Sequence, residues 1–184
     1  MQKHALLFLA LIIGITGIQA QDIWITRSGT VVFHAGTSLE DIDGTNNEVA
    51  SLFNIKTGEL AFQIPVKSFH FKRALMEDHF NENYMESNKF PKSTFTGKIT
   101  DLSKINFTKD GAYPVTVEGD LMIHGFTKKV TVPGTINING GKISAAASFK
   151  VLISDYNIPI PGVVSEKIAK EAMIELKCNY EKKN

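Results

Sequence analysis

Apolar and polar residues alternate at period two through most of the chain, the spacing expected of strands with one buried face. Gly29 to Thr37 reads GTVVFHAGT, with Val31, Phe33 and Ala35 on one face and Val32, His34 and Gly36 on the other. Leu39 to Asn47 is less regular and holds turn-like Asp43-Gly44 and Asn46-Asn47, while Val49 to Ile55 suits a short strand ending at Lys56-Thr57-Gly58. In Glu59 to Val66, Leu60, Phe62, Ile64 and Val66 alternate with Ala61, Gln63 and Pro65. Pro65 has no N–H for a ladder and marks an edge, a bulge or a strand end. Phe69 and Phe71 take the opposite parity, and one extra residue in a bulge would return them to the same face. Further strands are predicted at Ser93 to Leu102, Pro114 to His124, Lys128 to Asn139, Lys142 to Ser154 and Glu171 to Tyr180. Asn139-Gly140-Gly141 is the strongest hairpin signal, and Asp155 to Ala169, with its prolines, reads as a loop with one helical turn. About eight strands at hairpin spacing predict an all-β antiparallel sandwich or barrel.

One stretch breaks the alternation. From Leu75 to Phe95 the chain reads LMEDHFNENYMESNKFPKSTF, in which Met76, Phe80 and Tyr84 recur every four residues, flanked by His79 and Asn83. Glu77, Asp78, Asn81 and Glu82 fall on the other side of such a helix and suit water. The helix is expected to stop near Asn88, because the chain ahead of Pro91 is steered away from helical dihedrals. A lone amphipathic helix among strands has to bury its stripe on a sheet face or across the mouth of a barrel.

The apolar parity of the strands is free of charge yet dotted with small residues: Gly97, Gly119, Gly134, Ala145 and Ala147. A close-packed core fills such positions with larger side chains. Small residues on the inner face of an eight-stranded barrel would leave an apolar lumen for one ligand. On that reading Phe62, Ile64, Phe95, Leu121, Phe149 and Val151 line the wall, Ala145 and Ala147 leave the room, and Met76, Phe80 and Tyr84 gate the mouth, with His79 beside them. The alternative is that the glycines are bends and the alanines sit opposite aromatic rings, of which the chain has twelve Phe and one Trp.

Composition narrows the partners. Ala5 to Ile18 is an apolar run after Lys3 and His4, and Ile18-Gln19-Ala20 offers a cleavage point, so residues 1–20 read as a signal peptide and residues 21–184 as one exported domain. The run is shorter than the roughly twenty residues of a membrane span, so no stable membrane anchor is expected. Removing 20 of the 184 residues leaves 164, with 19 basic and 19 acidic side chains once Lys3 is gone. That balance speaks against nucleic acid as a partner. The single cysteine, Cys178, has no internal disulfide partner and reads as a buried wall thiol.

Two segments then resemble the YceI-like family of exported, lipocalin-like bacterial barrels. His79-Phe80 with Tyr84-Met85-Glu86-Ser87 and Lys89-Phe90-Pro91-Lys92-Ser93-Thr94-Phe95 is similar to its "H-L … S … K-Y-P-x-I-x-F" segment. Val117 to Val130, VEGDLMIHGFTKKV, is similar to its "V-x-G-x-L-T-I-x-G-V-T-K-x-V" run. The resemblance spans about Trp24 to Tyr180 and implies an eight-stranded antiparallel barrel with one amphipathic helix near the mouth, holding a polyisoprenoid-type lipid or a quinone. The family often carries Arg-Asp ahead of the histidine, where this chain has Met76-Glu77, so no headgroup role is carried over from that arginine.

Candidate chemistry is sparse. His34, His70, His79 and His124 show no metal-ligand spacing, and neither a nucleophile elbow nor a phosphate-cradling glycine loop is present. His34 and His124 are expected at the surface, as are the outward Glu118 and Asp120. The expected function is a periplasmic or secreted lipid carrier, without cofactor, metal or catalytic residues; a homodimer is left open. Its rivals are a plugged interaction or stress-response barrel and an enzyme acting on a lipid held in the lumen.

Overall fold

The computed structural model describes residues 22–183, and the expected signal peptide and its cleavage after Ala20 lie outside them. Eight strands follow in order: β1 (Ile23–Gly36), β2 (Asp43–Asn54), β3 (Glu59–Pro65), β4 (Lys92–Ile99), β5 (Gly111–Ile123), β6 (Phe126–Asn139), β7 (Lys142–Leu152) and β8 (Ile168–Lys182). Each pairs antiparallel with the next, and β8 returns to β1 through pairs such as Val31 with Leu176, so the sheet closes into a barrel with no free edge. A meander of this kind puts alternate connections at opposite ends. The β1–β2, β3–β4, β5–β6 and β7–β8 connections therefore share one end, and the other three share the opposite end with both described termini.

The two ends are built differently. At the end that carries the described termini Phe53, Ile138, Ile143, Cys178 and Tyr180 are buried, with Phe53 flanked by Phe107 at 6.0 Å and Tyr180 at 5.9 Å. The Tyr180 hydroxyl shares a 2.8 Å hydrogen bond with Ser51 Oγ. The predicted hairpin at Gly140-Gly141 is a two-residue turn with both residues at positive φ, 55° and 74°, and Asn139 opposite Lys142.

The far end carries the one α-helix among the described residues, α1 (Ala74–His79), which continues as a π-helical turn over Phe80–Tyr84. The helical stretch is shorter than the sequence suggests: it stops at Met85 rather than near Asn88, because Met85 N–H reaches back to Phe80 O and Glu86 turns left-handed at φ 42°. The expected bulge after Pro65 is instead a 3-10 turn, Val66–Ser68, which swings Phe69 and Phe71 over the mouth. The β7–β8 connection holds two 3-10 turns, Ile153–Tyr156 and Gly162–Val164, rather than one helical turn. Among the described residues no helix is long and apolar enough to cross a membrane.

Candidate functional site

The small residues split into two groups with different consequences. An ideal Cβ on Gly97 would lie 2.5 Å from Phe95 Cζ and 2.6 Å from Glu118 O, and one on Gly119 would strike Thr96 O and lie 2.7 Å from the same ring. These two glycines, paired across β4 and β5, seat the Phe95 ring against the wall. For them the expectation of empty room is corrected: an aromatic ring occupies the space. Gly134 has no such cover, and Ala145 and Ala147 border the cavity. Gly134 and Ala147 are partners in a cross-strand row that runs Val115, Gly134, Ala147, Leu176, Val31, and the wall there is thin.

The result is a cavity of about 550 Å³, within the range of roughly 300–1,000 Å³ typical of ligand sites. Its wall takes in Phe62, Ile64, Phe95, Leu121, Phe149 and Val151, and Ala145 and Ala147 face it. Phe62 and Phe95 lie side by side on neighbouring strands, ring centroids 6.0 Å apart, and Leu121 pairs with Phe95 on the next. Met76, His79, Phe80 and Tyr84 border it from the helical segment. Phe80 is fixed there by three rings, stacked on Phe33 at 5.4 Å and meeting Phe69 and Phe71 at 5.4 and 5.0 Å. Sequence reasoning missed this cluster, because Phe69 and Phe71 sit outside any regular strand.

Charge reaches the cavity at its rim. Glu40, beyond the β1–β2 turn, Arg73, which caps α1, and Lys167, just before β8, all border it. Arg73 Nη2 donates to Glu40 Oε1 and Lys167 Nζ to Glu40 Oε2 at 3.2 Å. The Arg73 bond, then the Lys167 bond, hold the Glu40 carboxyl below the usual carboxylate range. The turn is tied to the β7–β8 connection as well, by Thr37 Oγ1 donating to Glu166 O at 2.8 Å. Nothing in the sequence pattern links these three side chains, since the connections that carry them are far apart in the chain.

His124 overturns its expected surface position. It is 4% exposed, at the first place of a two-residue β5–β6 turn, with φ 50° there and 77° at Gly125. At such a place the side chain leaves the alternation of the strand, and here it turns inward. Nδ1 donates to Tyr156 O at 3.1 Å and Nε2 lies 2.8 Å from Glu86 Oε2. The ring is thus held from both of its nitrogens, by a backbone carbonyl on one side and a carboxylate on the other. Phe90 packs edge-on against the imidazole at 4.6 Å and covers Gly125, where a Cβ would lie 2.5 Å from its ring. The Met85–Phe90 segment, the β5–β6 turn and the β7–β8 connection are thus latched together beside the mouth. His34 is exposed and pairs with Asp43 at 2.8 Å, as expected of a surface histidine. Cys178 is buried, and burial pushes its thiol up to about 12, opposed by a hydrogen bond from Tyr180. Among the described residues no three metal-ligating side chains converge.

Fold and site together define a class: a closed eight-stranded meander barrel, packed at one end and hollow and apolar at the other, with a helical segment at the open end. The YceI-like domain matches residues 25–180, and the chain belongs to that family. The segments that carry the resemblance in sequence meet in space at the His124 latch. Among solved structures, a polyisoprenoid binding domain from Saccharophagus degradans implicated in plant cell wall breakdown superposes with a TM-score of 0.75 at 11% identity, covering 88% of this chain and 99% of that one. Burkholderia cenocepacia BcnA gives 0.67 at 20% identity, covering 83% and 96%, and a Campylobacter jejuni YCEI protein gives 0.57 at 19%, covering 79% and 88%. No curated protein matches the chain at a significant level.

Proposed function

We propose that this protein is an exported carrier that holds one long apolar ligand of the polyisoprenoid class, a quinone tail included, inside the hollow end of its barrel. The observation that carries the reading is the cavity: about 550 Å³, walled by aliphatic and aromatic side chains, and bordered at its rim by charge. Burying an apolar chain there supplies affinity at about 25 cal/mol per Å² of apolar surface without any ionic contact along the wall. The structural likeness to a polyisoprenoid binding domain supports the choice of ligand class. On this reading the protein binds and releases its ligand and carries out no reaction on it.

The test is chemical. Protein purified from its own host is extracted with organic solvent and the extract analysed by mass spectrometry, beside an Ala147→Phe variant whose new ring fills the thin part of the wall. The expected result is a hydrophobic molecule, stoichiometric with the wild-type chain and absent from the folded variant. Identical extracts from the two would overturn the carrier reading.

A further inference from the structure

We propose that Arg73, Lys167 and Glu40 form a receptor at the cavity mouth for an anionic headgroup, a carboxylate or a phosphate, carried by the apolar chain in the lumen. The inference rests on the carrier reading above and adds a head to the tail described there.

The three side chains arrive from three separate connections and converge where the lumen opens. One carboxylate faces two cations, so the cluster carries a net charge of +1 at the edge of an otherwise apolar cavity. Glu40 is the sequestered member, its side chain 20% exposed, while Arg73 and Lys167 keep 60% and 51%. Most of their donors stay unused: a guanidinium has five N–H bonds and an ammonium three. Besides Glu40, Arg73 meets only the Met76 sulfur at 3.5 Å among the described residues, a weak acceptor. A second anion would complete the set as two cations and two anions. Arg suits it further, because the fork of the guanidinium matches carboxylate and phosphate oxygens in pairs. A cationic head would be repelled, and a hydroxyl head would gain no charge pairing.

Tail-matched ligands separate head from tail. Farnesyl phosphate against farnesol, and palmitate against hexadecanol, are titrated into the purified chain by displacement of a neutral naphthylamine dye, at low and at physiological salt. Each anion is expected to bind about tenfold more tightly than its alcohol, with an advantage that shrinks as salt rises. A gain for only one of the two anions assigns the head to that chemistry. The Arg73→Gln/Lys167→Gln double variant brings each anion down to the level of its alcohol. Glu40→Gln uncovers both cations and tightens the anions further, the opposite of what loss of a structural strap would do. Equal binding of anion and alcohol in the wild type, or a preference that survives the double variant, overturns the headgroup site and leaves the carrier standing. If neither member of either pair binds, both readings fall.

Discussion

A Cβ placed on Gly119 would strike the carbonyl oxygen of Thr96 and lie 2.6 Å from Gly97 Cα, so neither neighbour can yield without moving the sheet. Gly119→Ala is therefore expected to destabilise by about 1–3 kcal/mol, the cost of overpacking a fixed site. At Gly134 the nearest atom is Ala146 O at 3.1 Å and the next are methyl groups at 3.6 and 3.8 Å, so Gly134→Ala should cost less than half as much. Urea unfolding of the two variants checks the order, and equal losses would show that the two glycines do the same work. Cys178 is a second residue whose environment sets a measurable property. Burial raises its thiol from an ordinary 9.0 to about 12, so the folded chain keeps a proton that the unfolded chain releases. That contribution is complete below about pH 9 and is lost as pH rises towards about 12, so stability falls over that window. Tyr180, raised above its ordinary 10.0 chiefly by burial, adds to the fall from about pH 10 upward. In Cys178→Ala the slope of unfolding free energy against pH should be visibly shallower, though not flat. The native thiol should also resist thiol reagents at neutral pH and react at once after unfolding.

The β5–β6 turn shows what one element depends on. A non-glycine residue at φ 50° carries backbone strain, and His124 offsets it with two hydrogen bonds and the Phe90 ring. His124→Ala keeps the strain and loses the bonds, for an expected cost of about 2–3 kcal/mol, or about 5–10 °C in Tm. His124→Gly relieves the backbone and should lose less, and Glu86→Gln, which keeps a neutral acceptor, least of all. Thermal scans of the three variants test this; a His124→Ala chain as stable as the wild type would dissolve the latch. The same element marks where sequence reading stops. Alternation along Val115 to Ile123 identifies the strand and its inner face, because side-chain direction in a ladder depends only on parity. Parity says nothing once the chain turns, so His124 looked solvated; the clue was the His-Gly pair itself, a two-residue turn signal of the Asn-Gly kind. The helix was legible in its stripe of Met76, Phe80 and Tyr84, but not in its end, which is set by the π-type bond from Met85 and by Glu86 turning towards His124. Likewise the sequence placed Gly97 and Gly134 on the same face, while only the position of the Phe95 ring distinguishes a covered glycine from an open one. The Glu40–Arg73–Lys167 cluster was beyond reach, since connections have no period to read.

Across the whole molecule, stability and capacity are assigned to opposite ends of one continuous sheet. A barrel lacks free edges, so its strands stay paired even where no side chains fill the middle. The packed end can then supply burial while the other end remains hollow. Phe53 is fully buried between Phe107 and Tyr180, and Phe53→Ala should cost about 3–5 kcal/mol, the range for removing a core aromatic. Phe149 borders the cavity and is only partly buried, so it already lacks neighbours on its inner side; Phe149→Ala should cost about half as much. Ligand affinity is expected to behave the other way round, nearly unchanged in Phe53→Ala and altered severalfold in Phe149→Ala. Ligand at a hundred times its Kd adds about 2.7 kcal/mol to a folded chain, about 5–10 °C in Tm, and the increment should persist in Phe53→Ala despite its lower starting point. Thermal scans with and without a saturating apolar ligand measure both quantities on the same samples. If Phe53→Ala lost its ligand shift along with its stability, the packed end would be part of the binding site, and the division of labour between the two ends would not exist.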